Sequence, residues 1–268
     1  MRRAVLAIAV LIAACLLAIA ASAVEEPRAG EDPRASHRDA PIPRRVMQTY
    51  SDATKVPAKV YANIAKYAPG FEHEILDDAD AVRFLAAHYD ESVVRGFEAL
   101  AVGAHKADLL RYCLLYVHGG VYLDIKTELI VPLSDVFYGA TGVDLYVVLQ
   151  HDARGIYNGV IAAKPRNALF LELIRGILRA ALRVPREPIA YHAFVAHFLE
   201  VLRAGLHEPL VCGAPLRSVW GTVVVLREAC TQRAEDCYDG LDRYGLCCFI
   251  HDARRPVIKV RYADYPFS

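Results

Sequence analysis

The sequence predicts an α/β fold in which a Rossmann-like sheet is flanked by helices. Short apolar or β-branched runs, such as Glu72 to Leu76, Leu145 to Gln150 and Val160 to Ala163, alternate with longer stretches of helical periodicity. Strands separated by helix-length segments build βαβ units rather than a sandwich. One stretch, Lys106 to Glu128, reads KADLLRYCLLYVHGGVYLDIKTE: a helix, a double-glycine reversal, and an apolar strand that ends on an aspartate. An open α/β sheet keeps its ligands beyond the carboxyl ends of its strands, so that aspartate stands at an address for chemistry.

The chain has 268 residues, is 55% hydrophobic and carries no formal net charge. This fits one globular domain plus an extra apolar segment. The neutral balance argues against a nucleic-acid-binding protein, which would show a basic stripe. The apolar segment lies at the start, where Arg2 and Arg3 precede an uncharged run from Ala4 to Val24, followed by Glu25 and Glu26. About 20 residues at helical rise reach roughly 30 Å, enough to cross a bilayer. The arginines favour a cytosolic amino terminus, which predicts a signal anchor over residues 1–24 and a type II single-pass membrane protein. Ala21-Ser22-Ala23 also offers a small-residue cleavage site, so a cleaved signal peptide and a secreted product stand as the alternative. Both readings deliver the rest of the chain to the secretory lumen, with the Golgi as the expected station for the anchored form. Residues 25–41 are rich in proline, arginine and acids and read as a disordered stem, with the folded domain expected over 42–268.

Cysteine use agrees with an oxidising compartment. Besides Cys15 there are Cys113, Cys212, Cys230, Cys237, Cys247 and Cys248, mostly near the carboxyl end. Disulfides are expected there without an assignable connectivity, and Cys113, on the central helix, reads as a free buried thiol. Zinc is a poor alternative because no pair has C-x-x-C spacing.

Taken in order, Ile42 to Tyr50 reads as the opening strand, Pro57 to Tyr67 as a helix with proline in its first turn, and Glu72 to Leu76 as a short strand. Asp77 and Asp78 are N-cap candidates for a helix through Ala87. Ala104 to Val117 lacks proline and glycine and places Leu110, Leu114 and Val117 at helical spacing. Gly119-Gly120 ends it, and Val121 to Leu123 is the strand that follows. Leu145 to Gln150 and Val160 to Ala163 are further strands. Asn167 to Leu182 and Ile189 to Ala204 are helices broken apart by Pro185 and Pro188. Val223 to Leu226, Cys247 to His251 and Val257 to Tyr262 read as late strands.

Asp108 and Arg111 lie three apart, on one helix face, where an ordinary ion pair is one reading. The string D-x-x-R-Y-x-x-L-x-x-x-G-G-x-Y-x-D, here Asp108, Arg111, Tyr112, Leu115, Gly119, Gly120, Tyr122 and Asp124, supplies another. It resembles the sugar-binding region of glycosyltransferase family 32, which includes Och1-type and inositol-phosphorylceramide mannosyltransferases. The resemblance implies a GT-A-type mixed sheet and transfer of a hexose, of mannose, glucose or galactose type, from a nucleotide-sugar donor to a glycan or glycolipid acceptor. It implies retention of anomeric configuration. Asp108 and Arg111 would contact the donor sugar, and Asp124 would begin the Asp-x-Asp that holds Mn²⁺ or Mg²⁺ on the donor diphosphate.

Other family positions are matched more loosely. Ile42 to Tyr50 resembles the family's opening strand, with Gln48 and Tyr50 as donor-side candidates; Tyr50 offers a stacking face for a base or packs at an edge. Asn158 is a candidate for a sugar hydroxyl or a plain turn residue beside Gly159. Asp152 is a candidate active-site carboxylate, and His251 a candidate late metal ligand. The departure is Lys126, which stands where the second aspartate belongs. Either it serves as a built-in charge on the diphosphate, reducing or replacing the metal, or it pairs with Glu128 and leaves Asp124 to hold a weaker ion. If the segment is extended, Asp124, Lys126 and Glu128 share one face. The altered motif also admits a catalytically inactive lumenal protein that binds sugar nucleotides or stabilises a partner.

Overall fold

The computed structural model describes residues 40–238, 240–242, 245–262, 264 and 265. The expected anchor at 1–24 and all but the end of the expected stem at 25–41 lie outside the described residues. Among those described, no helix is long and apolar enough to cross a membrane.

The expected fold class is the one observed. A ten-stranded mixed sheet runs in the order β2-β1-β3-β6-β5-β8-β9-β10-β4, with β7 paired to β8. Its first part, β1 (Arg45–Thr49), β2 (Glu72–Leu76) and β3 (Gly120–Leu123), is parallel. Next, β6 (Val160–Ala163) runs antiparallel to both β3 and β5 (Leu145–Leu149). The long β8 (Gly221–Thr231) is parallel to β5, and the antiparallel remainder comprises β7 (Pro215–Ser218), β9 (Cys247–His251), β10 (Pro256–Lys259) and β4 (Glu128–Leu129).

The central strands are apolar on both faces because both are covered. Along β3, Tyr122 joins one hydrophobic cluster while Val121 and Leu123 join the other, and β5 and β6 alternate the same way. The first cluster includes α2 (Asp78–His88), α3 (Glu91–Ala99), α4 (Gly103–His118), α6 (Ala168–Ala181) and α7 (Ala193–Gly205). On the opposite face are α1 (Ala58–Tyr67) and the short α5 (Leu133–Phe137).

Local signals account for the boundaries. Asp77 caps α2 through Ala79 and Asp80 N–H, and Asn167 caps α6 through Leu169 N–H. The central helix α4 is buried from Leu109 to Tyr116; Tyr112 stacks on Phe170 and meets Phe198 edge-on. Its reversal needs both glycines. Gly119 has φ +62°, with a hypothetical Cβ 2.6 Å from Pro165, and Gly120 has φ +95°, with a Cβ 2.8 Å from Arg45 O.

The structure departs from expectation where tertiary contacts set the ends. The helix expected from Ile189 begins only at Ala193, and the strand expected to reach Tyr262 stops at Lys259. β8 is far longer than Val223 to Leu226, because β9 pairs with its second half. The segment after Asp124 is a turn, not an extension: Thr127 N–H donates to Asp124 O at 2.8 Å. Two disulfides, Cys230–Cys248 and Cys237–Cys247, tie β8 and the segment after it to β9. Cys113 is a free buried thiol as expected, and Cys212 is free and exposed.

His118, at the end of α4, packs against Phe84 and His88. Burial pushes its pKa down to about 4, and the nearby charges of Arg45 and His88 act in the same direction. The unfolded chain takes up this proton near pH ~6.5, so the neutral form's contribution is complete above that pH and is lost as pH falls towards about 4. The melting temperature is therefore expected to drop across that window, and His118→Gln to flatten part of the slope. Identical pH dependence in variant and wild type would remove His118 as a cause.

Candidate active site

Asp124 is the first residue after β3, and three backbone-directed contacts fix it. Its N–H donates to Gly159 O at 2.7 Å, and its carbonyl accepts from Thr127 N–H. Gln48 Nε2 reaches the same carbonyl at 3.4 Å, while Gln48 Oε1 lies 2.8 Å from His73 Nε2. Gln48 is fully buried, so its amide holds the aspartate's backbone rather than facing a ligand.

The Asp124 side chain sits between two cations. Arg111 Nη1 lies 3.2 Å from Oδ1, and Lys126 Nζ lies 3.2 Å from Oδ2. Arg111 also reaches Asp108 Oδ1 at 3.4 Å, donates Nε–H to Ala107 O, and lies 4.5 Å from the centre of the Tyr122 ring. Asn158 Nδ2 donates to the same Asp108 oxygen at 3.0 Å. Asp108 and Arg111 are thus no surface pair: they are 7% and 4% exposed. Burial raises the Asp108 carboxyl above its ordinary value, although Arg111 and Asn158 oppose that. Burial would raise Asp124 as well, but the charges of Arg111 and Lys126 prevail and hold it below its usual value. For Arg111 burial acts downward, and Tyr122, Asp124 and Asp108 reverse it, so the guanidinium stays charged.

This network forms the floor of a cavity of about 530 Å³ lined by Asp108, Arg111, Asp124, Lys126, Asn158 and Glu228, among others. A neighbouring cavity of about 440 Å³ shares Arg111, Asp124 and Lys126 and is lined by Tyr50, Arg261 and Tyr265. Both volumes suit a small-molecule site. The structure therefore brings together Tyr50, Asp108, Arg111, Asp124, Lys126 and Asn158, with Gln48 behind them.

Two expected residues lie elsewhere. Asp152 is exposed on the loop after β5, where Oδ1 accepts Arg154 N–H, and it does not line either cavity. His251 lines a separate cavity with Cys212 and Arg227. Its strand, β9, is paired on both sides, so its position is set by the late sheet rather than by Asp124. Of the two readings of Lys126, the pair with Glu128 is not formed; Lys126 turns to Asp124, and Glu128 accepts from the Tyr238 hydroxyl.

The residues present do not fit a divalent cation on Asp124. Both carboxylate oxygens already face cations, and the residue two positions on is a lysine rather than a second acid. Among the described residues, His151, Glu228 and Cys230 cluster with potential ligand atoms within 4.8 Å of one another, but the Cys230 sulfur is committed to a disulfide.

Sequence reasoning missed Gly159, Glu228 and His151. Gly159 had a signal, the Asn158-Gly159 turn pair. Glu228 had none, because nothing in its neighbourhood of the sequence marks the strand edge it occupies.

Residues 54–141 match the model of the glycosyltransferase sugar-binding region containing the DXD motif. This match covers the central helix, the double-glycine reversal and Asp124. It is 33% identical over 104 residues to the initiation-specific alpha-1,6-mannosyltransferase of Saccharomyces cerevisiae, covering 35% of this chain and 22% of that protein. It is 24% identical over 149 residues to inositol phosphoceramide mannosyltransferase 3 of Schizosaccharomyces pombe, covering 54% of this chain and 40% of the relative. The chain thus spans less than half the length of either relative. A solved structure, PaToxG glycosyltransferase, aligns with TM-score 0.45 and 15% identity over 61% of this chain and 69% of its own. Within the matched region the chain reads Asp124-Ile125-Lys126.

At Gly159 the site has no room for a side chain. A hypothetical Cβ would press on the Tyr157 hydroxyl and lie 2.7 Å from Asp124 Oδ2. Gly159→Ala is expected to destabilise the protein by about 1–3 kcal/mol, as overpacking does. Urea unfolding checks this, and an unchanged midpoint would mean that the Asp124 side chain yields freely.

Proposed function

We propose that the protein is a glycosyltransferase that moves a hexose from a nucleotide-sugar donor to a glycan or glycolipid acceptor with retention of configuration. The observation that carries this reading is the Asp108–Arg111–Asp124–Lys126 network at the carboxyl end of β3, with its first two members buried, inside the region matching the family model. The names of the relatives make a mannose donor the first to test. The lumen of the secretory pathway, probed first at the Golgi, is the proposed location.

The division of labour follows from the chemistry. Breaking the anomeric C–O bond builds negative charge on the departing diphosphate, so a fixed positive group there lowers the barrier. Lys126 is that group: its ammonium has three donors, one directed at Asp124, leaving others for phosphate oxygens. Asp124 positions it and Arg111. Asp108 and Asn158 face the sugar; Asn158 Oδ1 is buried with no hydrogen-bond partner among the described residues and suits a donor hydroxyl. Tyr50 and Tyr265 line the neighbouring cavity, where an aromatic face suits a nucleotide base. A second reading, an inactive sugar-nucleotide-binding protein, is favoured only by the lysine on Asp124; it predicts binding without donor cleavage.

A panel of nucleotide sugars assayed for hydrolysis and transfer tests the proposal, and binding without turnover of any donor would reject it. Asp124→Ala is expected to lower transfer at least about a hundredfold while far-ultraviolet circular dichroism stays native. Wild-type turnover is expected to persist in EDTA, whereas Lys126→Asp, which restores the acidic pair, is expected to become EDTA-sensitive and Mn²⁺-restorable. Complete loss of wild-type activity in EDTA, regained with Mn²⁺, would overturn the role given to Lys126.

A further inference from the structure

The strands meeting at the site end on one edge. β3, β5 and β8 point the same way, since β6 runs antiparallel to β3 and β5, and β8 is parallel to β5. The last residue of β5, Leu149, pairs with Arg227, so Glu228 is the first β8 residue beyond that pairing. Asp124 is likewise the first residue beyond β3. Two acidic side chains thus stand along the carboxyl edge of the sheet, and both line the cavity of about 530 Å³.

Their electrostatic situations differ. Asp124 is bracketed by Arg111 and Lys126. The Glu228 side chain is 7% exposed, and Oε2 accepts the His151 backbone N–H at 3.2 Å and lies 3.3 Å from His151 Nδ1. Among the described residues no lysine or arginine pairs with it. Tyr157 senses both acids: burial pushes its hydroxyl well up, and the charges of Asp124 and Glu228 add to the effect. One wall therefore presents cations suited to a leaving diphosphate, and another presents a buried carboxylate that, among the described residues, pairs with His151 and with no lysine or arginine.

We infer that Glu228 is the carboxylate that faces the anomeric carbon of the donor sugar and stabilises the positive charge that develops there. This rests on the transferase reading above. As the bond between the anomeric carbon and the diphosphate breaks, its electron pair leaves on the phosphate oxygen and the sugar becomes oxocarbenium-like. The acceptor oxygen then bonds to that carbon, and the acceptor proton passes to the departing diphosphate. Glu228 is unchanged over the cycle; its charge opposes the one that grows on the sugar ring, an interaction stronger in the transition state than in the ground state. His151 is a positioning residue that fixes the carboxylate from the end of β5.

Glu228→Gln keeps the shape and an oxygen for the His151 N–H while removing the charge. With the nucleotide sugar that the wild type cleaves, its kcat for donor hydrolysis is expected to fall about 10²–10³-fold. Calorimetric affinity for the corresponding nucleoside diphosphate and the melting temperature are expected to stay unchanged, and formate is expected to restore part of the turnover of Glu228→Ala. A kcat within about threefold of wild type, or a loss that tracks weakened nucleotide affinity and a lowered melting temperature without formate rescue, would overturn the inference and leave the transferase reading standing. Wild-type protein that cleaves no nucleotide sugar would reject both.

Discussion

The Arg111 guanidinium, buried between Asp108 and Asp124, is the interaction on which the rest of this site depends. It joins the middle of helix α4 to the end of strand β3, two elements separated by a double-glycine reversal that leaves little freedom between them. A charge this deep persists only when paired; removing one partner of a buried pair typically costs about 3–5 kcal/mol, whereas a surface pair is worth about 0–1 kcal/mol. The pairing sets the orientation of Asp124, and Asp124 in turn sets Lys126. The surrounding scaffold serves the same end: Gln48 and Gly159 grip the Asp124 backbone, and Asn158 completes Asp108.

The sheet explains why these residues meet. A parallel trio, β2-β1-β3, delivers Asp124 at its edge, and antiparallel β6 enters beside it, bringing Tyr157, Asn158 and Gly159 back to the same edge. β5 and β8 contribute His151 and Glu228. These residues stand at β3, β6, β5 and β8, and their chemistry is graded: Arg111 and Lys126 gather at the β3 end, and Glu228, held by His151 and without a lysine or arginine partner among the described residues, lies towards β8. Such a gradient suits a reaction in which an anion departs from a carbon that becomes positive.

Much of the fold was legible because its signals are local. Asp77 and Asn167 as caps, the uninterrupted helix before Gly119, and the short runs at Glu72–Leu76 and Val160–Ala163 all act within a few residues of themselves. Boundaries failed where the deciding contact is distant: β8 is lengthened by β9, and the extension expected for Lys126 gives way to a turn closed by Thr127. Gln48 was placed towards the donor by resemblance, yet its amide serves the Asp124 carbonyl and His73, a pairing across β1, β2 and β3 that no local pattern encodes. Asp152 and His251 carry suitable chemistry, but neither lines the cavities around Asp124.

What the sequence determined by itself is the central stretch: a helix bearing Asp108 and Arg111, glycines for a reversal with positive φ, a strand ending on Asp124, and a lysine in place of an acidic ligand. Those features rest on backbone sterics and on spacings of a few residues. Only the tertiary structure decided that the ion pair is buried, that Lys126 turns onto Asp124 rather than Glu128, and that Glu228 shares the cavity. Those outcomes depend on strand order and register, which join residues far apart in the chain and leave no periodic trace within either segment.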